Sequence, residues 1–286
     1  MIQCLAALLL SASEAWPGAG TAEAVAVAAW PSAWGSSSST AYEAPAGISR
    51  IEGVDLSASY ANGPGDLAML SAGTRTGPVF SALGLGCAWS HSDGGVPAGS
   101  DHDGGTDASD PVSLTAACAW VVTGDPVGFI EGFFGPSISV GAACRAVWGE
   151  GGGGDGDADV DGDEILGSAG LQFAIFPTFS LGASVVDIPL SAQPGTEAET
   201  HWGATYIFTR ELRVHASVSG DGPAMGAELD VTPWLRAGTG SDGDAWNAGV
   251  SVDIGRLTAG YGLSLDDSSA VHAVTVEIGF GGANWY

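Results

Sequence analysis

The stretch Leu257-Thr258-Ala259-Gly260-Tyr261-Gly262-Leu263-Ser264-Leu265 decides how this chain folds. Its apolar residues fall on every second position, with only Thr, Gly and Ser between them. A helix would scatter those side chains around its circumference, whereas a strand sends them all to one face. The next segment repeats the pattern, with Val274, Val276, Ile278 and Phe280 alternating with Thr275, Glu277 and Gly279. Upstream, Ala248, Val250, Val252 and Ile254 alternate with Gly249, Ser251 and Asp253, and Leu212, Val214, Ala216 and Val218 with Arg213, His215 and Ser217. Carried back to residue 52, this period predicts fourteen strands, at 52–61, 66–75, 79–90, 112–122, 137–148, 165–176, 178–189, 201–209, 212–219, 223–231, 234–239, 245–254, 256–265 and 269–281. The apolar run 127–134 would make a fifteenth. Bacterial barrels take even strand numbers, so it reads as a long turn.

A soluble sandwich also alternates. Here the polar face is mostly Gly, Ser and Thr with isolated charges, and Trp89, Trp120, Trp148, Trp202 and Trp246 sit near strand ends on the apolar face. An outward apolar band with aromatic girdles is the pattern of a membrane barrel. With a periplasmic C-terminus, the connections 91–111, 149–164, 190–200, 240–244 and 266–268 all lie outside, and they carry most of the carboxylates. Short turns such as Gly255-Arg256 and Thr209-Arg210-Glu211 lie on the periplasmic side. The rival is a soluble secreted β-sandwich that binds calcium or carbohydrate through those acidic loops.

Among 286 residues there are 46 Gly, no Lys, and a formal net charge of −26. The seven arginines are scattered, so no basic patch exists for nucleic acid. Acidity with few apolar residues would mean disorder, but 45% of this chain is hydrophobic. No segment reaches the 18 or more apolar residues of a spanning helix. The apolar run from Ile2 to Leu10, followed by Ser13-Glu14-Ala15 and Ala22-Glu23-Ala24, predicts an export signal over 1–24, cleaved near 15 or 24. After its removal Cys87, Cys118 and Cys144 remain, an odd number on three strands at apolar parity, and they read as small lipid-facing residues.

Ahead of the first strand, Tyr42-Glu43-Ala44-Pro45-Ala46-Gly47-Ile48 resembles the short asparagine-proline-alanine-glycine segment of PorV/PorQ and FadL-like outer-membrane proteins. Leu83-Gly84-Leu85-Gly86-Cys87-Ala88-Trp89 and the hairpin Leu171 to Ser184 resemble later parts of the same family. Met225-Gly226-Ala227-Glu228-Leu229, Leu235-Arg236-Ala237-Gly238, Ala248-Gly249-Val250 and Ala259-Gly260-Tyr261-Gly262-Leu263 follow in family order. The resemblance implies a single transmembrane antiparallel β-barrel of about 14 strands, all-β, spanning 52–286 in the outer membrane. Residues 25–51 would then fold into the lumen as a hatch, with Tyr42, Pro45, Ala46 and Gly47 at its turn. The family's asparagine is Ala44 here, which removes the amide that would pin the hatch. The resemblance further implies a non-enzymatic, secretion-associated or structural role linked to type IX secretion, with exported proteins as partners. The alternative is a FadL-like channel for small hydrophobic compounds. A hydrophobic cargo calls for apolar lumen side chains, and this lumen face is Gly, Ser, Thr and charge.

Three constellations carry possible chemistry. The segment Asp155 to Glu164 opens like a calcium loop, with Asp157, Asp159, Asp161 and Asp163 at alternate positions, but position twelve, counted from Asp157 as one, is Ser168, not Glu. A weak calcium site is the most it implies, and no other cofactor is expected. Asp101, His102, Asp103, Asp107 and Asp110 form a second acidic cluster, with nothing to fix their geometry. On the inward face, a hairpin around Gly220-Asp221-Gly222 sets Arg213 opposite Asp230 and His215 opposite Glu228. With Asp55, Arg145, Asp253 and Glu277, these charges brace the wall or set lumen selectivity. No Gly-x-Ser-x-Gly elbow or ordered nucleophile, base and acid is present, so no enzyme is expected.

Overall fold

In a computed structural model, the described residues are 38–51, 53–62, 66–75, 82–91, 112–124, 136–148, 164–176, 178–191, 198–220, 222–266 and 269–280. The signal segment, the Asp157–Asp163 calcium expectation, the Asp101–Asp110 cluster and the run 127–134 lie outside them.

Fourteen antiparallel strands close on themselves. They are β1 Val54–Asn62, β2 Asp66–Arg75, β3 Ala82–His91, β4 Val112–Thr123, β5 Ser137–Trp148, β6 Glu164–Phe176, β7 Phe179–Pro189, β8 Glu199–Ile207, β9 Leu212–Ser219, β10 Gly222–Thr232, β11 Leu235–Ser241, β12 Trp246–Ile254, β13 Leu257–Leu265 and β14 Ala270–Phe280. Each strand pairs with its sequence neighbours, and β1 meets β14 from Val54↔Phe280 to Asn62↔His272. Closure leaves no unpaired strand edge, which is the condition for a sheet to stand in hydrocarbon.

The two faces separate as the period requires. Leu70, Leu85, Leu114, Leu171, Val218 and Val250 are exposed on the outside, while Ser57, Ser59, Ser139, Gln172, Thr205 and Thr275 are buried within. Exposed aromatics mark both ends: Tyr60, Trp89, Trp148 and Trp246 at the end that bears the connections 92–111 and 149–163, and Trp120, Phe176, Phe208, Trp234 and Phe280 at the other. In bacterial barrels long loops face outward and short turns face the periplasm, which orients the molecule in the outer membrane. Cys87, Cys118 and Cys144 are unpaired thiols on the outer, lipid-facing parity.

One strand breaks the alternation. Between Val185 and Ile188 β7 holds an extra residue relative to β6, which steps only from Ala169 to Gly167. In this bulge Asp187 adopts φ 53°, a left-handed conformation that non-glycine residues rarely take. The extra residue turns its carboxylate away from lipid into the buried interior.

Candidate functional site

Residues 38–51 lie against the inner wall as two short 3-10 turns, Ser38–Thr40 and Gly47–Arg50, joined by a buried linker. They pack on β1 to β5. What admits backbone inside a fourteen-stranded barrel is the absence of wall side chains beneath it. Gly141 of β5 pairs with Gly170 of β6, and the Pro45–Ala46 peptide sits on that pair. A Cβ on Gly141 would lie 2.3 Å from the Pro45 carbonyl carbon and 2.4 Å from the Ala46 nitrogen. A Cβ on Gly84 of β3 would meet Ala41 at 3.2 Å. Ile48 is fully buried and clusters with Ala41, Tyr42, Ala82, Ala117, Ala119 and Ala143.

Polar pins fix this seat. The Ser168 hydroxyl donates to the Tyr42 carbonyl at 2.6 Å, and Ser49 donates to the Ser139 hydroxyl at 2.9 Å. Ser38 gives its N–H to Asp55 at 2.8 Å and shares a 3.0 Å hydroxyl contact with Ser71. The strongest knot lies at the bulge. The Tyr42 hydroxyl donates to Asp187 Oδ1 at 2.8 Å and accepts the Asp187 N–H at 3.2 Å. Arg145 of β5 donates to the same Oδ1 at 2.7 Å and lies 3.9 Å over the Tyr42 ring. Such charge-assisted bonds and cation–π contacts gain strength away from water. Burial pushes the Tyr42 hydroxyl well above the usual phenol range despite the opposing pull of Arg145, so it stays a donor. Burial likewise pushes the Glu43 carboxyl up to about 7, against the attraction of Arg145.

Across the lumen, β9 to β11 carry a charged lattice. Arg213 contacts Asp230 at 2.7 Å and Glu228 at 3.5 Å, and Arg236 meets Asp230 at 2.9 Å. His215 bridges Glu228 at 3.1 Å and Thr205 at 3.0 Å. The register corrects the sequence expectation. A tighter turn pairs Ser219 with Gly222, so Arg213 stands opposite Glu228 and His215 opposite Gly226. The Arg213–Asp230 and His215–Glu228 contacts still form, diagonally, because a slip of two residues keeps every side chain on its own face. Further round, Asp253 accepts from Thr258 at 2.6 Å. Arg236, Gly238, Ser251, Asp253, Thr258, Gly260 and Glu277 all keep partial exposure on the inner face.

The hatch turn and all eight inward charges thus occupy the interior, but in two groups. Tyr42, Pro45, Ala46 and Gly47 join Asp55 and Arg145 at the hatch seat, whereas Arg213, His215, Glu228, Asp230, Asp253 and Glu277 line the other arc. Asp187, Glu43, Ser168 and the Gly141–Gly170 notch were not singled out from sequence. A signal for Asp187 was present: strict alternation would aim this carboxylate into lipid, and only a bulge avoids that.

No family model and no curated protein matches this chain. Among solved structures, it is similar to a TodX deltaS2S3 mutant described as a monoaromatic hydrocarbon channel, at TM-score 0.60 and 12% identity, covering 91% of this chain and 99% of that one. A FadL homologue from Pseudomonas aeruginosa gives TM-score 0.53 at 13% identity, covering 93% of this chain and 98% of that one. The CymD monoaromatic hydrocarbon channel gives 0.52 at 14%, covering 82% and 91%. The chain is therefore an outer-membrane β-barrel. Its closed antiparallel architecture is shared with these three structures.

Proposed function

We propose that this barrel is a FadL-like channel for small compounds in which residues 38–51 act as the gate. One observation carries the reading: among the described residues, the hatch segment 38–51 is seated on one side of the lumen. It packs on β1 to β5 and bonds to β6 and β7, while polar wall residues from β11 to β14 remain accessible. A passage between hatch and that arc would be lined by Gly, Ser, Thr and charged side chains, so a small polar solute suits it better than a hydrocarbon. Catalysis plays no part in this reading. The test is reconstitution of the purified barrel in planar bilayers and liposomes. Discrete conductance, with swelling in small polar solutes, supports it; a barrel that stays silent and impermeable even when residues 38–51 are deleted would overturn it.

The secretion-associated role implied by the PorV/PorQ resemblance is the second reading. It is favoured by the charge asymmetry of the two rims. Asp66, Glu164, Glu199, Asp242, Asp244 and Asp266 stand at the outer end, whereas at the short-turn end Asp55, Glu211, Asp230, Asp253 and Glu277 are matched by Arg75, Arg210, Arg213, Arg236 and Arg256. An acidic outer rim suits the holding of exported proteins of opposite charge. Loss of surface-retained exported proteins in a deletion strain, with solute uptake intact, would select this reading over the channel.

A further inference from the structure

We propose that Glu43 is a proton-binding site that latches the hatch: with the proton on, residues 38–51 stay seated, and its loss releases them from β5 and β6. This rests on the gate reading above and adds what would control it. Glu43 lies between buried Tyr42 and Ala44, with its own exposure at 8%. Its Oε2 is sealed from solvent and has no hydrogen-bond partner. The groups facing it are few. Arg145 reaches it from β5 and Asp187 from β7, and Tyr42 neighbours it on its own segment. On β8, His201 is near enough to Asp187 to feel its charge. The nearby inward residues of β3, β4 and β6 are Gly84 and Gly86, Thr115 and Ala117, and Ser168 and Gly170, none of which titrates.

Arg145 is the only arginine among these neighbours, and its charge is already shared, although its Nε has no hydrogen-bond partner. Its Nη2 donates to Asp187, and its guanidinium covers the Tyr42 ring. An ionised Glu43 would therefore be a second carboxylate sharing one guanidinium, with Oε2 shut off from solvent. Its own backbone N–H offsets only part of that cost. Neutral, it costs far less than the charge would. Released into water, the same carboxyl ionises freely, so ionisation and seating oppose each other.

The sign follows from linkage. Seating is strongest below the ordinary carboxyl range, where the proton is bound in both states. As pH rises the released state ionises first, and seating weakens until the seated carboxyl also titrates, at about 7. From 4.5 to about 7, one proton at tenfold per pH unit gives a ~300-fold loss of seating.

Hydrogen exchange over residues 38–51 of the reconstituted barrel, corrected for the intrinsic pH dependence of exchange, reads seating without needing conduction. Wild type is expected to lose protection by up to two orders of magnitude between pH 4.5 and 7.5. Glu43→Gln is expected to stay flat, whereas Glu43→Asp, which keeps a titrating group, should still fall. Heat-dependent gel mobility confirms that each variant is a closed barrel. An equal pH response in Glu43→Gln and wild type, or a flat wild type, would overturn the proposal. If the exchange behaves as expected but no solute crosses at any pH, the proton latch stands and the channel reading falls.

Discussion

Gly141→Ala is the sharpest perturbation the hatch seat offers, because it adds one methyl group and nothing else. That methyl would sit 2.3 Å from the Pro45 carbonyl carbon, where an ordinary contact is 3.4 Å or more, so the Pro45–Ala46 peptide must retreat by about 1 Å. The neighbour is backbone, pinned nearby by Ser168 to the Tyr42 carbonyl and by Ser49 to Ser139, so it cannot rotate out of the way. Overpacking of this kind costs about 1–3 kcal/mol, which lowers the seated population about 5- to 150-fold. The barrel itself should not suffer, since Ala is the better strand residue by about 0.5–1 kcal/mol. Gly86→Ala serves as the control, because its methyl meets nothing nearer than 3.7 Å. Exchange over residues 38–51, with single-channel conductance, is the assay. The expected result is faster hatch exchange and more frequent openings in Gly141→Ala, with Gly86→Ala and wild type alike and all three barrels equally heat-resistant. Hatch protection in Gly141→Ala equal to wild type would refute the seat.

Asp187→Asn keeps a side chain that tolerates the left-handed backbone but removes the charge that Tyr42 and Arg145 share, and should loosen the hatch by about 1–3 kcal/mol, read as faster exchange at Tyr42. His215→Leu leaves buried Glu228 short of its 3.1 Å partner and should lower barrel stability in urea by about 1–3 kcal/mol while leaving hatch exchange unchanged. Val250→Arg, midway along the lipid face of β12, should cost about 2–4 kcal/mol of folding into bilayers, and an equal stability of variant and wild type would contradict the placement of that face.

The fourteen strands were legible because each stands between two unlike environments, which writes a period of two into the chain. Among the described residues, boundaries differ from the sequence reading by at most three residues, as at β8, which runs from Glu199 to Ile207 and not from 201 to 209. The β9–β10 register was not legible for the same reason. The pattern records only which face a residue occupies, and a slip of two residues preserves it. Turn length would have settled it, but Gly220-Asp221-Gly222 suits either a two- or a three-residue connection. The hatch seat was half visible. Pro45 and Gly47 mark a turn, yet the surfaces receiving it are glycines, whose information is the absence of a side chain. Among 46 glycines nothing distinguishes Gly141 and Gly170 until the strands are paired and the hatch is laid across them.

That abundance of glycine follows from the geometry of the plug. Where the hatch backbone touches the wall, a strand position has room for a side chain or for that backbone, but not for both. Where the hatch lies, the wall offers Gly84, Gly141 and Gly170, and Gly73, whose added Cβ would collide with the Ile51 Cδ1. Glycine weakens an isolated strand, but a closed ladder has no edge to fray, so the loss is tolerated. On the opposite arc Gly226 pairs with Gly240, and Gly238 with Gly249, which in turn pairs with Gly262. No part of residues 38–51 is needed to explain glycine there. The same residue type thus does two jobs: under the hatch it makes a fitted seat, and across from it, it preserves width along an arc whose charges are braced in pairs. Under the channel reading proposed above, the second kind leaves room for a solute beside the seated plug.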